Sequence, residues 1–97
     1  MEDRIAEERL DKYVEITRNA LAKLKIACPS RSFGRKIADD FVQMAVSYFE
    51  DAEHFKQKGD FVNAFACVNY AHGWLDCGAR LGLFDVGEDD KLFTLYE

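Results

Sequence analysis

The 97 residues hold one proline, Pro29, and two histidines, and no apolar stretch reaches the 18 or so consecutive positions that a membrane-crossing helix needs. The chain opens with Met1, Glu2, Asp3 and Arg4, which is no start for a secretory leader, so the expected setting is the cytoplasm, with no membrane. Cysteine is sparse as well. Cys28, Cys67 and Cys77 form no C-x-x-C pair and leave an odd thiol over, so neither a zinc site nor a disulfide framework is implied. On one helix, Cys67 and Cys77 would stand roughly 15 Å apart, beyond disulfide reach. All three are read as buried or half-buried thiols. A basic excess is missing too: the net charge is −5, which opposes general nucleic-acid binding.

Against these absences stands an apolar fraction of 48%, enough in one domain of this length for a core without metal or disulfide staples. Between Glu2 and about Ala27, residues Ala6, Leu10, Tyr13, Val14, Thr17, Leu21 and Leu24 recur at three- and four-residue steps. That spacing predicts one helix with one buried face. Pro29 is expected to stop it, because the residue before a proline is pushed out of the α region.

A loop from Cys28 to Gly34 leads to a second predicted helix, about Arg35 to Lys58, with an apolar stripe of Ile37, Phe41, Met44, Ala45, Tyr48, Ala52 and Phe55. Gly59 then supplies a left-handed stop and Asp60 the next N-cap, so the following helix must return antiparallel. It runs from about Phe61 to Leu81 on a core line of Phe61, Ala64, Val68, Ala71, Leu75 and Ala79. Cys67, Tyr70, Trp74 and Leu81 widen its apolar arc to roughly 200°, more than one neighbouring helix can cover. It either packs between two helices or also joins a second subunit. Gly73 and Gly78 suggest close backbone approach at both points. Gly82 ends the helix, and Leu83 with Phe84 can fold back over its last turn.

The expected architecture is all-α: an antiparallel three-helix bundle over residues 1–84, then a tail over residues 85–97. In that tail Asp85, Glu88, Asp89 and Asp90 make an acidic turn before Leu92, Phe93, Leu95 and Tyr96, an apolar end that should dock on the bundle or on a partner. Tyr48, Ala52, Phe55, Gly59, Ala64 and Ala71 fall at the spacings of a tetratricopeptide hairpin, with small residues for close approach and aromatics to fill the groove. The pattern occurs once and lacks its closing proline, whereas a solenoid needs about three repeats.

A more specific resemblance rests on Gln43-Met44-Ala45, Tyr48, Asp51-Ala52, Phe55, Gly59-Asp60-Phe61, Asn63-Ala64-Phe65, Tyr70 to Asp76, Gly78 and Arg80 to Phe84. Across roughly residues 35 to 84 the chain resembles the short archaeal proteins of domain of unknown function family 357. The resemblance implies a three-helix bundle in an archaeal cytoplasm and no assigned activity. Members joined to nucleotidyltransferase-like domains would suit an accessory role.

Two clusters are candidate sites. Asn69, His72, Asp76 and Arg80 fall within about 80° of arc on an otherwise apolar helix. His72 can hydrogen-bond Asp76, and Asp76 can pair with Arg80, giving either a polar packing network or a recognition stripe. The second cluster is basic: Lys23, Lys25, Arg31, Arg35 and Lys36 place a local +5 in residues 23 to 36, read first as solvated surface and second as an anion contact.

Catalytic chemistry finds no foothold. Asp51 and His54 form at best half of a di-iron pattern, which needs two carboxylate-and-histidine motifs and further glutamates. The bundle resembles HEPN-type ribonucleases in outline, but their arginine shortly before histidine is absent ahead of His54 and His72. No catalytic residue, metal or cofactor is expected. The expected function is a non-catalytic helical interaction module, a homodimer with an unknown protein partner. The alternative is an accessory domain contacting RNA or nucleotide phosphates through the basic corner.

Overall fold

Ser32 starts the second helix. Its Oγ accepts the Arg35 N–H at 3.1 Å and donates to the Pro29 carbonyl at 2.7 Å, so one side chain ties off the loop and caps the helix. In a computed structural model, which describes residues 2–85 and the side chains from residue 6 onward, the elements are α1 (Glu2–Lys23), β1 (Lys25–Ile26), α2 (Phe33–Gln57), α3 (Phe61–Arg80) and β2 (Phe84–Asp85). The protein is an all-α three-helix bundle. The residue-32 cap makes α2 begin at Phe33, two residues before the expected Arg35.

The stops of α2 and α3 use the same hydrogen-bond pattern. After α2, the Asp60 N–H donates to the Phe55 carbonyl (2.9 Å) and the Gly59 N–H to the Lys56 carbonyl (3.0 Å). After α3, Leu83 donates to Gly78 (2.9 Å) and Gly82 to Ala79 (3.1 Å). This crossed pair of bonds needs a left-handed residue at its corner, and Gly59 and Gly82 both sit at φ +76°. Asp60 at once caps α3, its carboxylate accepting the Asn63 N–H at 3.3 Å. A connection this short forces α2 and α3 into an antiparallel hairpin, and they share the most extensive contact in the fold.

Small residues set the distance between those two helices. Ala38, Ala45 and Ala52 on α2 and Ala64, Ala71 and Gly78 on α3 recur every seven positions and are all buried. A seven-residue repeat keeps one face turned toward one neighbour, and its short side chains bring the backbones close. Substituting Gly78 would place a Cβ inside the Phe84 ring, which folds back beneath the end of α3. Gly73 is different. Among the described residues nothing lies within 4 Å of the position its Cβ would take, so close approach by any of them is not its reason.

Along α1 the buried line is Leu10, Val14, Thr17 and Ala20, while Tyr13 is exposed. Leu10 and Val14 join Phe49, Ala52, Ala64, Val68 and Ala71 in one half of the core; Ala20 joins Ala38, Ala45, Leu75, Leu83 and Phe84 in the other. α1 rests mainly on α3, so α3 packs between two helices. On α2 the buried line passes through Ala38 and Phe49 and leaves Ile37 exposed, because the helix turns its small residues to α3. Arg18 covers the Phe49 face, its guanidinium 5.6 Å above the ring and 2.9 Å from Glu53. The Glu53 hydrogen bond is the foremost cause holding the Arg18 pKa above its usual value.

α1 also ends four residues before its expected limit of Ala27. After the Leu24 N–H bonds to Ala20, the chain becomes extended and Lys25–Ile26 pairs antiparallel with Phe84–Asp85, Lys25 opposite Asp85 and Ile26 opposite Phe84. The Ala27 N–H adds a bond to the Leu83 carbonyl at 2.9 Å. Pairing with the chain that follows α3, and not Pro29, therefore stops this helix. The apolar end expected at Leu92, Phe93, Leu95 and Tyr96 lies outside the described residues.

Candidate functional site

Helical spacing carries Tyr13, Ile16 and Thr17 along one side of α1, and Val68, Asn69, His72, Gly73 and Asp76 along the facing side of α3. Together they line a cleft of about 370 Å³. Three of the four stripe residues are thus in one place: Asn69 exposed, His72 and Asp76 half-buried. Arg80, in the last turn of α3, is exposed and does not line the cleft.

At the cleft floor the Thr17 hydroxyl lies 3.3 Å from His72 Nδ1, and Asp76 Oδ1 lies 3.5 Å from His72 Nε2. Hydroxyl, imidazole and carboxylate therefore stand in a row. The order resembles that of a nucleophilic triad, but the chemistry does not follow: Thr17 is 1% exposed, so its oxygen is closed to a substrate. The row instead satisfies a buried hydroxyl. Thr17 reads in the sequence as one more position on the core face of the first helix. A hydroxyl on that face was the available signal that a polar partner had to arrive from another element.

Over the shoulder formed by Asn69 and Gly73 lies a shallower hollow of about 280 Å³, lined also by Tyr70, Trp74 and Cys77. Trp74 is held edge-on to Phe41 at 5.0 Å, and Tyr70 stacks on Tyr48 at 5.3 Å. This hollow belongs to a continuous outer face of α3. Val62, Ala66, Asn69, Tyr70, Gly73, Cys77 and Leu81 are all exposed, and among them Val62 is 81%, Tyr70 62% and Leu81 63% exposed. The face carries no charge before Arg80. Small residues at 66, 73 and 77 run along it, between bulky ones at its flanks.

The model of a protein family described as "Protein of unknown function (DUF357)" matches residues 12–84. The chain belongs to that family. No curated protein and no solved structure matches it. The DUF357 match takes in most of α1, all of α2 and α3, and hence every residue of the cleft and of the outer α3 face. It ends at Phe84, so the acidic and apolar tail is outside the matched region.

The basic cluster is dispersed. Lys25 and Arg35 line one groove of about 530 Å³ together with Leu21, Leu24, Ile26, Val42 and Val46. Arg35 pairs with Asp39 at 3.2 Å, and Lys23 is engaged in an interaction of its own. Arg31 and Lys36 are exposed and do not line the groove.

All three cysteines are free. Cys28 and Cys67 are half-buried, but Cys77 is exposed, against the expectation of a covered thiol, because it faces outward from α3. Burial, reinforced by the negative charge of Asp51, pushes the Cys67 thiol above its ordinary pKa. Asp51 and His54 are both exposed, and among the described residues no three potential metal ligands gather.

Proposed function

We propose that this DUF357 chain is a non-catalytic helical interaction module that self-associates through the outer face of α3. The observation that carries the reading is Gly73. A glycine within a helix costs about 1 kcal/mol relative to alanine, and no neighbour among the described residues requires it here. It lies at the middle of an exposed face of small and apolar residues, where a second helix could approach to backbone distance. Tyr70 and Leu81 would then flank the contact. The adjoining cleft of Asn69, His72 and Asp76 would supply polar recognition at its edge. An archaeal cytoplasmic setting is part of the same reading and rests on the family resemblance.

Sedimentation equilibrium of the wild type beside Gly73→Arg tests it. The substitution has open space in the monomer but would wedge the two helices apart. The expected result is a micromolar dimer for the wild type and a folded monomer for the variant. A wild type that stays monomeric at every concentration, or a Gly73→Arg protein that dimerises unchanged, overturns the reading. The alternative, phosphate contact through Lys25 and its basic neighbours, predicts nucleic-acid binding that weakens steeply with salt.

A further inference from the structure

We propose that the cleft between α1 and α3 is a small-molecule site that takes a single-ring aromatic molecule carrying a protonated amine on a short arm. At about 370 Å³ it falls at the lower end of the roughly 300–1,000 Å³ in which small-molecule sites are found. It is complete within one chain, so the inference goes beyond self-association and stands without it. Tyr13 packs against Phe65 and Thr17 meets His72, so α1 and α3 run in the same direction and the cleft has two unlike ends. Tyr13 and the buried Val68 form an aromatic and hydrocarbon end. His72 and Asp76, roughly one and two turns further along α3, form a polar one.

Hydrogen-bonding capacity makes the ligand's polar group a donor. Both imidazole nitrogens of His72 are engaged, Nδ1 with Thr17 and Nε2 beside Asp76. Asp76 touches His72 and has a further interaction, but its two oxygens offer about four acceptor positions, so a ligand's N–H adds to these contacts without displacing them. An ionised carboxylate only accepts. Charge favours a protonated amine over a neutral donor and disfavours an anion: Asp76 is the one carboxylate among the described lining residues, and no lysine or arginine stands with it. Between the two ends Gly73 leaves its backbone bare, with nothing among the described residues within 4 Å of where a Cβ would stand. A flat ring fits there against the helix, beside the Tyr13 ring, which Phe65 holds edge-on at 6.0 Å. From Asn69 to Asp76 the cleft covers about 10 Å of helix, room for one ring and a two-carbon arm.

The test is an NMR titration of the backbone amides of the full chain with phenethylammonium, phenethyl alcohol and phenylacetate. Phenethylammonium should give saturable shifts at the Val68 and Gly73 amides. Phenethyl alcohol should bind about tenfold more weakly, and phenylacetate not at all. Asp76→Asn should weaken the amine about tenfold, to the level of the alcohol, and leave the alcohol unchanged. Tyr13→Leu, at an exposed position, should weaken amine and alcohol alike by roughly threefold. If Asp76→Asn does not fold, the wild-type ligand series and Tyr13→Leu decide. An alcohol or a carboxylate that binds as tightly as the amine, an Asp76→Asn protein that binds the amine unchanged, or shifts that never saturate overturn the proposal. None of these outcomes depends on whether the chain dimerises.

Discussion

Two glycines on one helix illustrate how the same residue type serves opposite purposes. At Gly78 a methyl group would overlap the Phe84 ring, and that ring is part of the core with Leu75 and Leu83. Gly78→Ala should therefore cost about 3 kcal/mol or more in urea denaturation, as overpacking forces Phe84 out of place. Gly73→Ala should stabilise the monomer by roughly 1 kcal/mol in the same assay, through helix propensity alone. The sequence marks both positions as glycine within a helical pattern. Only the fold separates them, because the Phe84 ring reaches Gly78 after the chain has reversed at Gly82. The polar row behaves at the same scale. Thr17→Val removes a buried hydroxyl whose partner, His72, is half-exposed and can turn to water, so the expected loss is about 1 kcal/mol. Asp76→Ala should cost about 1 kcal/mol too. Its carboxylate is half-buried and 3.5 Å from His72, short of the several kcal/mol that loss of a partner costs a fully buried pair. Asn69, His72 and Asp76 were legible as one stripe from helical spacing, whereas Thr17 and Tyr13 come from another helix and could be joined to them only by packing.

Elements were most legible where a local hydrogen bond defines them. Gly59, Asp60 and Gly82 announce the hairpin and its end through left-handed geometry and capping chemistry, which depend on residues within one turn. Ser32 belongs to the same class, though its cap lies earlier than the apolar stripe of α2 suggests. Ser32→Ala and Asp60→Ala should each lower stability by about 1 kcal/mol in chemical denaturation, with the loss at Asp60 felt where α2 and α3 meet. Full retention of stability in both variants would mean that the caps are replaced by water without cost. The ribbon of Lys25–Ile26 with Phe84–Asp85 was not legible. Two-residue strands have no periodicity, and their partners are 60 and 58 positions apart in the chain. The line of Ala38 and Phe49 was missed on similar grounds, since the seven-residue repeat of small side chains competes with the more conspicuous apolar stripe through Ile37.

At the scale of the whole molecule, α3 is the helix that both others pack against, and it still presents an outer face without charge from Val62 to Cys77. A bundle of this size has enough interior to fold with that face uncovered, so its composition calls for a reason beyond stability. Breadth of the apolar arc signalled this from the sequence; which residues remained outside became clear only once α1 and α2 had taken their places. Cys77 lies on that face, exposed and chemically addressable, while Cys28 and Cys67 are half-buried and the Cys67 thiol is further held protonated by burial. The rate at which Cys77 is alkylated, followed by peptide mass analysis across protein concentration, therefore reads the proposed contact directly. Fast labelling is expected in dilute wild type, slowing as concentration rises, whereas in Gly73→Arg it should stay fast at every concentration. A Cys77 rate that is the same at all concentrations in the wild type would contradict self-association through α3.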